Sequence, residues 1–336
     1  MREYNQMKYN RGSLGLRIQW LDICKGILIF NVILSHSYPP TLYRQFFTPF
    51  FLTMFFFASG YTFSAKSTFK EFIVNKIKRL LIPFFLLGLS RVLMSYVIER
   101  GSLMQRLKGF VLQISCRYDE LWFVSCLFTS SLLFYLIITL CRRQKRFPED
   151  RLVLIISSII SILGLADMCI WKIKFVWELE TACMMLFYMA LGYWYRRYET
   201  GNLHCLEKAT WAIPLAILYV CIVLFFRNDV DIHKQTFEFP IPFVLLSLIV
   251  IPPIIYISKM LCHSCLQRTL AFLGTNTLFY YAYAGIIRVL FYSGCSYLGI
   301  SNEWILPLLC ALVSAILMAF PAWLVKKYLP WAVGSG

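Results

Sequence analysis

Three ionisable side chains fall within the first long apolar run of this sequence: Asp22, Lys25 and His36. An ionisable group costs about 2.5–3.5 kcal/mol to insert at the centre of a membrane span, so each is a functional candidate by default. At 100° per residue, Lys25 and His36 differ by only about 20° in azimuth, and Asp22 lies within about 40° of His36. One helical face would then carry a carboxylate, an ammonium and, ~16 Å further along, an imidazole. That stripe cannot face lipid and requires protein or a wet cavity opposite it. Asp22 and Lys25 suit an ion pair at the inner interface, with Lys25 snorkelling. His36 is beyond their reach. It serves either as a polar helix-packing group or as a group reached from a cavity, since Ser37-Tyr38-Pro39-Pro40 stops the helix just after it.

A second informative stretch runs from Phe55 to Tyr61, where Ser59 and Gly60 allow close helix approach. It is followed by Lys76, Lys78 and Arg79. This basic cluster reads either as a marker of the cytoplasmic side or as a grip for a polyanion through charge and forked hydrogen bonds. Arg91 and Arg288 also fall within apolar runs, positioned to pair with an acid or to bind a substrate, and Glu180 is a plausible structural partner. Cys262-His263-Ser264-Cys265 is a lone CxxC without a second ligand pair, short of the four ligands that structural zinc usually takes, and no metal is expected.

The elements that must hold these residues follow from composition. Apolar types make up 59% of the 336 residues and charged types 15%, and the mean hydropathy is +0.66. A soluble fold has too little interior for that much apolar surface. The expected class is all-α, a polytopic transmembrane helical bundle in the lipid bilayer. Ten candidate spans lie at roughly 16–38, 46–65, 80–98, 120–141, 152–170, 177–195, 209–226, 241–258, 270–292 and 304–325. The net charge of +16 would hint at nucleic acid in a soluble protein. Here the basic residues sit in short loops, so no nucleic acid is expected. With the N-terminus inside, twenty-one Lys and Arg fall on the cytoplasmic side and nine outside, which places both termini in the cytoplasm. The domain expectation is a cytoplasmic segment over 1–15, a transmembrane domain over 16–326 and a cytoplasmic tail over 327–336. No cleavable signal peptide is evident.

The run from Arg17 through Asp22 and Lys25 to His36 resembles the opening of the acyltransferase 3 family of integral membrane O-acyltransferases. Within that family the Lys-Gly-Ile-Leu-Ile opening looks closest to the fucose 4-O-acetylase branch. The family signature of a basic residue, ten intervening residues and a histidine is filled by Lys25 and His36. Its paired basic residues after the second span match Lys76 and Arg79. Its Ser-Gly-aromatic step matches Ser59, Gly60 and Tyr61, and Leu121-Trp122-Phe123 looks like its aromatic step opening the fourth span. One departure stands near the ninth span, where Gly274, Thr277 and Tyr281 are kept but Ala284 replaces a histidine common in the family.

The resemblance implies transfer of an acyl group, most often acetyl from acetyl-CoA, to a carbohydrate hydroxyl at the cell (inner) membrane. Acyl-CoA would be a donor substrate, with no cofactor tightly bound. Lys25, Lys76, Lys78 and Arg79 would meet the donor. His36 would act as general base or carry the acyl group as nucleophile, with Glu120, beside Trp122, as an acidic partner. The competing reading is a secondary transporter or flippase for a glycan intermediate, which shares ten spans and buried charges.

Overall fold

The computed structural model describes residues 18–99, 101–114, 121–144, 146–199, 201 and 207–334; Arg17 and Glu120, both singled out above, lie outside them. The described chain is almost wholly helical. In order come α1 (Gln19–Ser35), α2 (Thr41–Tyr61), α3 (Phe69–Lys76), a π-helical turn (Ile77–Leu81), α4 (Ile82–Glu99), α5 (Leu103–Leu112), α6 (Trp122–Arg143) and α7 (Glu149–Ile170). There follow α8 (Leu179–Tyr198), α9 (Ala209–Phe226), α10 (Pro240–Ile249), α11 (Ile251–Leu261), α12 (Gln267–Thr275), α13 (Thr277–Tyr297), α14 (Ile305–Leu317) and α15 (Ala319–Tyr328). Between α9 and α10 a hairpin pairs β1 (Val230–Asp231) with β2 (Thr236–Phe237) in antiparallel register.

Six helical stretches among the described residues are long and apolar enough to cross a membrane, or seven if the pair α12 and α13, bent by 92°, counts as one. Each of the ten stretches expected from sequence falls on a helix or a broken helix pair. Three of them are interrupted. The stretch at 241–258 is interrupted between α10 and α11 beside Pro252 and Pro253, and that at 304–325 between α14 and α15 at Met318, three residues before Pro321. A proline removes a backbone donor and crowds the preceding turn. The stretch at 270–292 is the bent pair, and Lys326 Nζ donates to Thr275 Oγ1 at the bend, at 3.0 Å.

Burial separates the helices into a centre and a rim. In α9, only 17% of the apolar window is buried, and in α7 28%; these present their oily faces outward. In α1, α2 and α8 most residues are buried, polar ones such as Asn31, Gln45 and Glu180 included. A helix that faces protein on most sides need not be as apolar as one that faces lipid, which is why α2 and α8 are not among the six while forming the core; α1, at 17 residues, is too short to be counted with them.

Small residues let the central helices touch. A Cβ on Gly60 of α2 would lie 1.9 Å from the Met189 carbonyl oxygen of α8, and one on Gly192 of α8 would lie 2.0 Å from that of Phe57. These reciprocal contacts permit backbone-to-backbone packing. The Ser59-Gly60 step therefore does structural work at Gly60, while Ser59 is half-buried. The stretch 327–336, expected as a tail, includes a 3-10 turn (Pro330–Val333), after which Gly334 packs on the backbone of Arg79.

Candidate active site

A cavity of about 260 Å³ opens at the end of α1, and His36 lines it. His36 is the residue that caps α1, and its side chain is accessible. The turn that carries it is pinned from α13. Arg288 Nη1 donates to the His36 carbonyl at 2.7 Å, and Tyr292 Oη donates to the Ser37 carbonyl at 2.6 Å. A guanidinium at a helix C-terminus satisfies an orphan carbonyl and complements the helix dipole. The same guanidinium lies over the Tyr38 ring at 5.1 Å. Among the described residues no side chain hydrogen-bonds the His36 imidazole, so both ring nitrogens are open to whatever enters.

Trp122, the first residue of α6, lines the cavity with His36, so the structure brings together two residues that sequence had linked only by resemblance. Arg91 and Arg288 line it as well. Gly285 lies between them: a Cβ there would sit 3.6 Å from Arg91 Nη1 and 4.0 Å from Arg288 Nη2. Ala284, the position where the family often has histidine, is also part of the wall.

One lining residue was not foreseen for this role. His233 reaches the cavity from the turn of the β1–β2 hairpin, with its ring stacked on Trp122 at 4.6 Å between centroids and 14° between planes. His233 Nδ1 is 3.1 Å from Glu178 Oε1. Glu178 also meets Lys174 at 3.1 Å and Thr181 Oγ1 at 2.9 Å. Glu180 is taken up by the same cluster, 3.3 Å from Lys174 and 3.0 Å from Gln235 Nε2. The backbone that presents Glu178 is strained: Trp177 and Glu178 have φ of 59° and 55°, a left-handed conformation that costs non-glycine residues about 1–3 kcal/mol each. A Lys four residues before one Glu and six before another, ahead of an apolar run, was the signal available in the sequence.

The basic residues divide. Lys25, Lys76, Lys78 and Arg79 do not line the His36 cavity. Lys25 is half-buried on α1. Lys76 Nζ donates to Ser131 Oγ of α6 at 3.2 Å and sits near the Phe63 and Phe72 rings. Lys78 and Arg79 are exposed on the π-helical turn. Asp22 is half-buried where α12 crosses α1. Tyr61 is buried at the end of α2, donating to Glu199 at 2.6 Å beneath the Arg196 guanidinium. Among the described residues no group of three or more His, Cys, Asp or Glu is placed to hold a metal ion.

A family model described as an acyltransferase domain, acyltransferase 3, matches residues 18–324. The chain belongs to the acyltransferase 3 family and is a multi-pass membrane protein with an acyltransferase domain. Comparison with curated proteins and with solved structures finds no match.

Proposed function

We propose that this protein is an O-acyltransferase that moves an acetyl group from acetyl-CoA to a hydroxyl of a cell-surface carbohydrate or its lipid-linked precursor. It is read as a fucose 4-O-acetylase-like member, with ten spans over residues 16–326 and both termini on the cytoplasmic side of the inner membrane. The observation that carries this reading is an accessible His36 in a cavity at one end of α1, eleven residues from Lys25. That interval, ~16 Å of helix, is comparable with a pantetheine arm. The anionic part of the donor would be held by Lys25, Lys78 and Arg79, and the thioester would meet the imidazole. A nucleophilic histidine needs an orienting partner, and among the described residues His36 has none. General base is the role that an unpartnered imidazole fills: it takes the hydroxyl proton as the oxygen attacks the thioester carbon. Glu120 keeps the supporting role proposed for it from sequence.

The test is acetyl transfer in cell envelopes of a strain lacking the gene and complemented with the full chain. His36→Ala should insert and fold normally but transfer no label from radioactive acetyl-CoA to envelope carbohydrate. Normal transfer by that variant would falsify the assignment.

A further inference from the structure

We propose that the acceptor sugar is acidic, carrying a carboxylate or a phosphate, and that Arg288 binds that group. This deepens the acyl-transfer reading above and rests on it for calling the ligand an acceptor. Arg288 belongs to the apolar helix α13, where a guanidinium is costly unless it is paired. Among the described residues no carboxylate pairs with it. Its Nη1 is spent on the His36 carbonyl, a neutral acceptor that leaves the positive charge in place. Its Nε is buried and has no hydrogen-bond partner among the described residues. A guanidinium carries five donors in a fixed fork, matched to the two oxygens of a carboxylate or phosphate.

The wall around it has one sign. Two arginines and two histidines line the cavity, and among the described residues no Asp or Glu does. Acids around the neighbouring hairpin are engaged with cations of their own: Asp231 with Lys234 at 3.1 Å, Glu178 with Lys174 at 3.1 Å and Glu180 with Lys174 at 3.3 Å. A cleft lined by one sign of charge focuses the field and concentrates ligands of the opposite sign. A neutral sugar gains nothing from that field. It would also leave the guanidinium unpaired, which is how a site rejects the wrong ligand.

The shape fits the same ligand. Gly285 stands on the wall between Arg91 and Arg288, and a Cβ there would already lie 3.6 Å from Arg91 Nη1 and 4.0 Å from Arg288 Nη2. Any longer side chain would press on both guanidinium groups. Because Arg288 is bonded to the carbonyl of His36 itself, an anion held there sits at the turn that carries the imidazole. The cavity, about 260 Å³, falls below the ~300–1,000 Å³ usual for ligand pockets. It therefore takes one ring with its charged substituent rather than a longer saccharide.

The experiment melts the purified full chain in detergent at low salt, without acetyl-CoA, since a ligand of the folded state protects it. Three glycosides are compared: neutral methyl α-D-glucoside, methyl α-D-glucuronide with its carboxylate, and α-D-glucose 1-phosphate. One or both of the anionic pair should give half-maximal protection at a concentration about tenfold or more below the neutral one. Which of them does so identifies the acidic group. Arg288→Gln should abolish that preference. Arg288→Lys, which keeps the charge without the fork, should retain part of it and decides the matter if the glutamine variant folds poorly. No protection, equal protection by all three, or a preference undiminished in either variant overturns the assignment. Inorganic phosphate protecting as well as the sugar phosphate overturns it too, by making this a site for a free anion. His36→Ala should keep the preference while transferring no acetyl; transfer by that variant overturns the acyl-transfer reading and leaves the anion site standing.

Discussion

Gly274 of α12 lies against the backbone of Asp22 on α1, so close that a Cβ there would stand 1.7 Å from the Asp22 carbonyl oxygen. Gly26, one turn further along α1, meets Leu270 in the same way, its Cβ falling 2.1 Å from a carbonyl oxygen. Neither contact can yield by a side-chain rotation, because the obstructing atom is backbone. Gly274→Ala should therefore push α12 off α1, lower stability by about 3 kcal/mol and displace His36 at the end of the same helix. Gly294→Ala, with nothing within 4 Å of its Cβ, is the matched control and should melt at or above the parent. Melting of both variants in detergent checks this; equal stability of the two would remove the helix contact from the account.

Arg288 reaches the cavity wall and the carbonyl of His36 at once. Arg288→Gln should leave the protein inserted and lower the transfer rate about 100-fold, the scale on which a ~1 Å misplacement acts. Arg288→Lys should recover part of it, since a lysine can still approach the carbonyl but not with a forked group. Rates measured with saturating acetyl-CoA separate this from donor binding. A glutamine variant with the parent's rate would leave Arg288 without a role.

Lys76 and its neighbours should behave differently. Lys78→Ala with Arg79→Ala removes exposed charge and should raise the KM for acetyl-CoA several-fold with kcat little changed. Lys76→Ala removes a side chain packed between two phenyl rings and hydrogen-bonded to Ser131, and should cost about 1–3 kcal/mol of stability with the donor KM held. Identical KM changes in the two variants would rejoin the cluster.

Tyr61→Phe deletes a hydroxyl that donates to Glu199 at 2.6 Å. A hydrogen bond to a charged group contributes about 1.5–3 kcal/mol, so the variant should melt earlier. Acceptor dependence should not move, because Tyr61 lies at the far end of α2 from the turn that carries His36. A changed KM for the acceptor would make Tyr61 part of the site.

Much of the molecule was readable from residue type and spacing. Runs of apolar residues located the helices, because lipid imposes one requirement over some twenty positions in a row. His36 stood out for the converse reason, as a titratable group where hydrocarbon would exclude it. The bend between α12 and α13 was hidden: Thr275 and Asn276 are ordinary in an apolar run, and what bends the chain is contact with α1 and Lys326. His233 and Glu178 were hidden more deeply. They are separated by more than fifty positions, sit in connecting segments, and acquire meaning only when the β1–β2 hairpin folds over Trp122. Lys76 shows what spacing leaves out, since adjacency to Lys78 and Arg79 says nothing about which way each side chain turns.

The pairing of α1 with α12 also bears on biogenesis. α1 leaves the ribosome well before α12 and meets that neighbour only after the segments between them have been made. Until then Asp22 and Lys25 sit in a helix whose packing surface is uncovered, exposed to lipid or sheltered by α2 or an insertase. The His36 cavity, lined by residues from Val32 to Arg288, is thus assembled late, and a nascent chain stalled before α12 would lack the wall that α13 supplies.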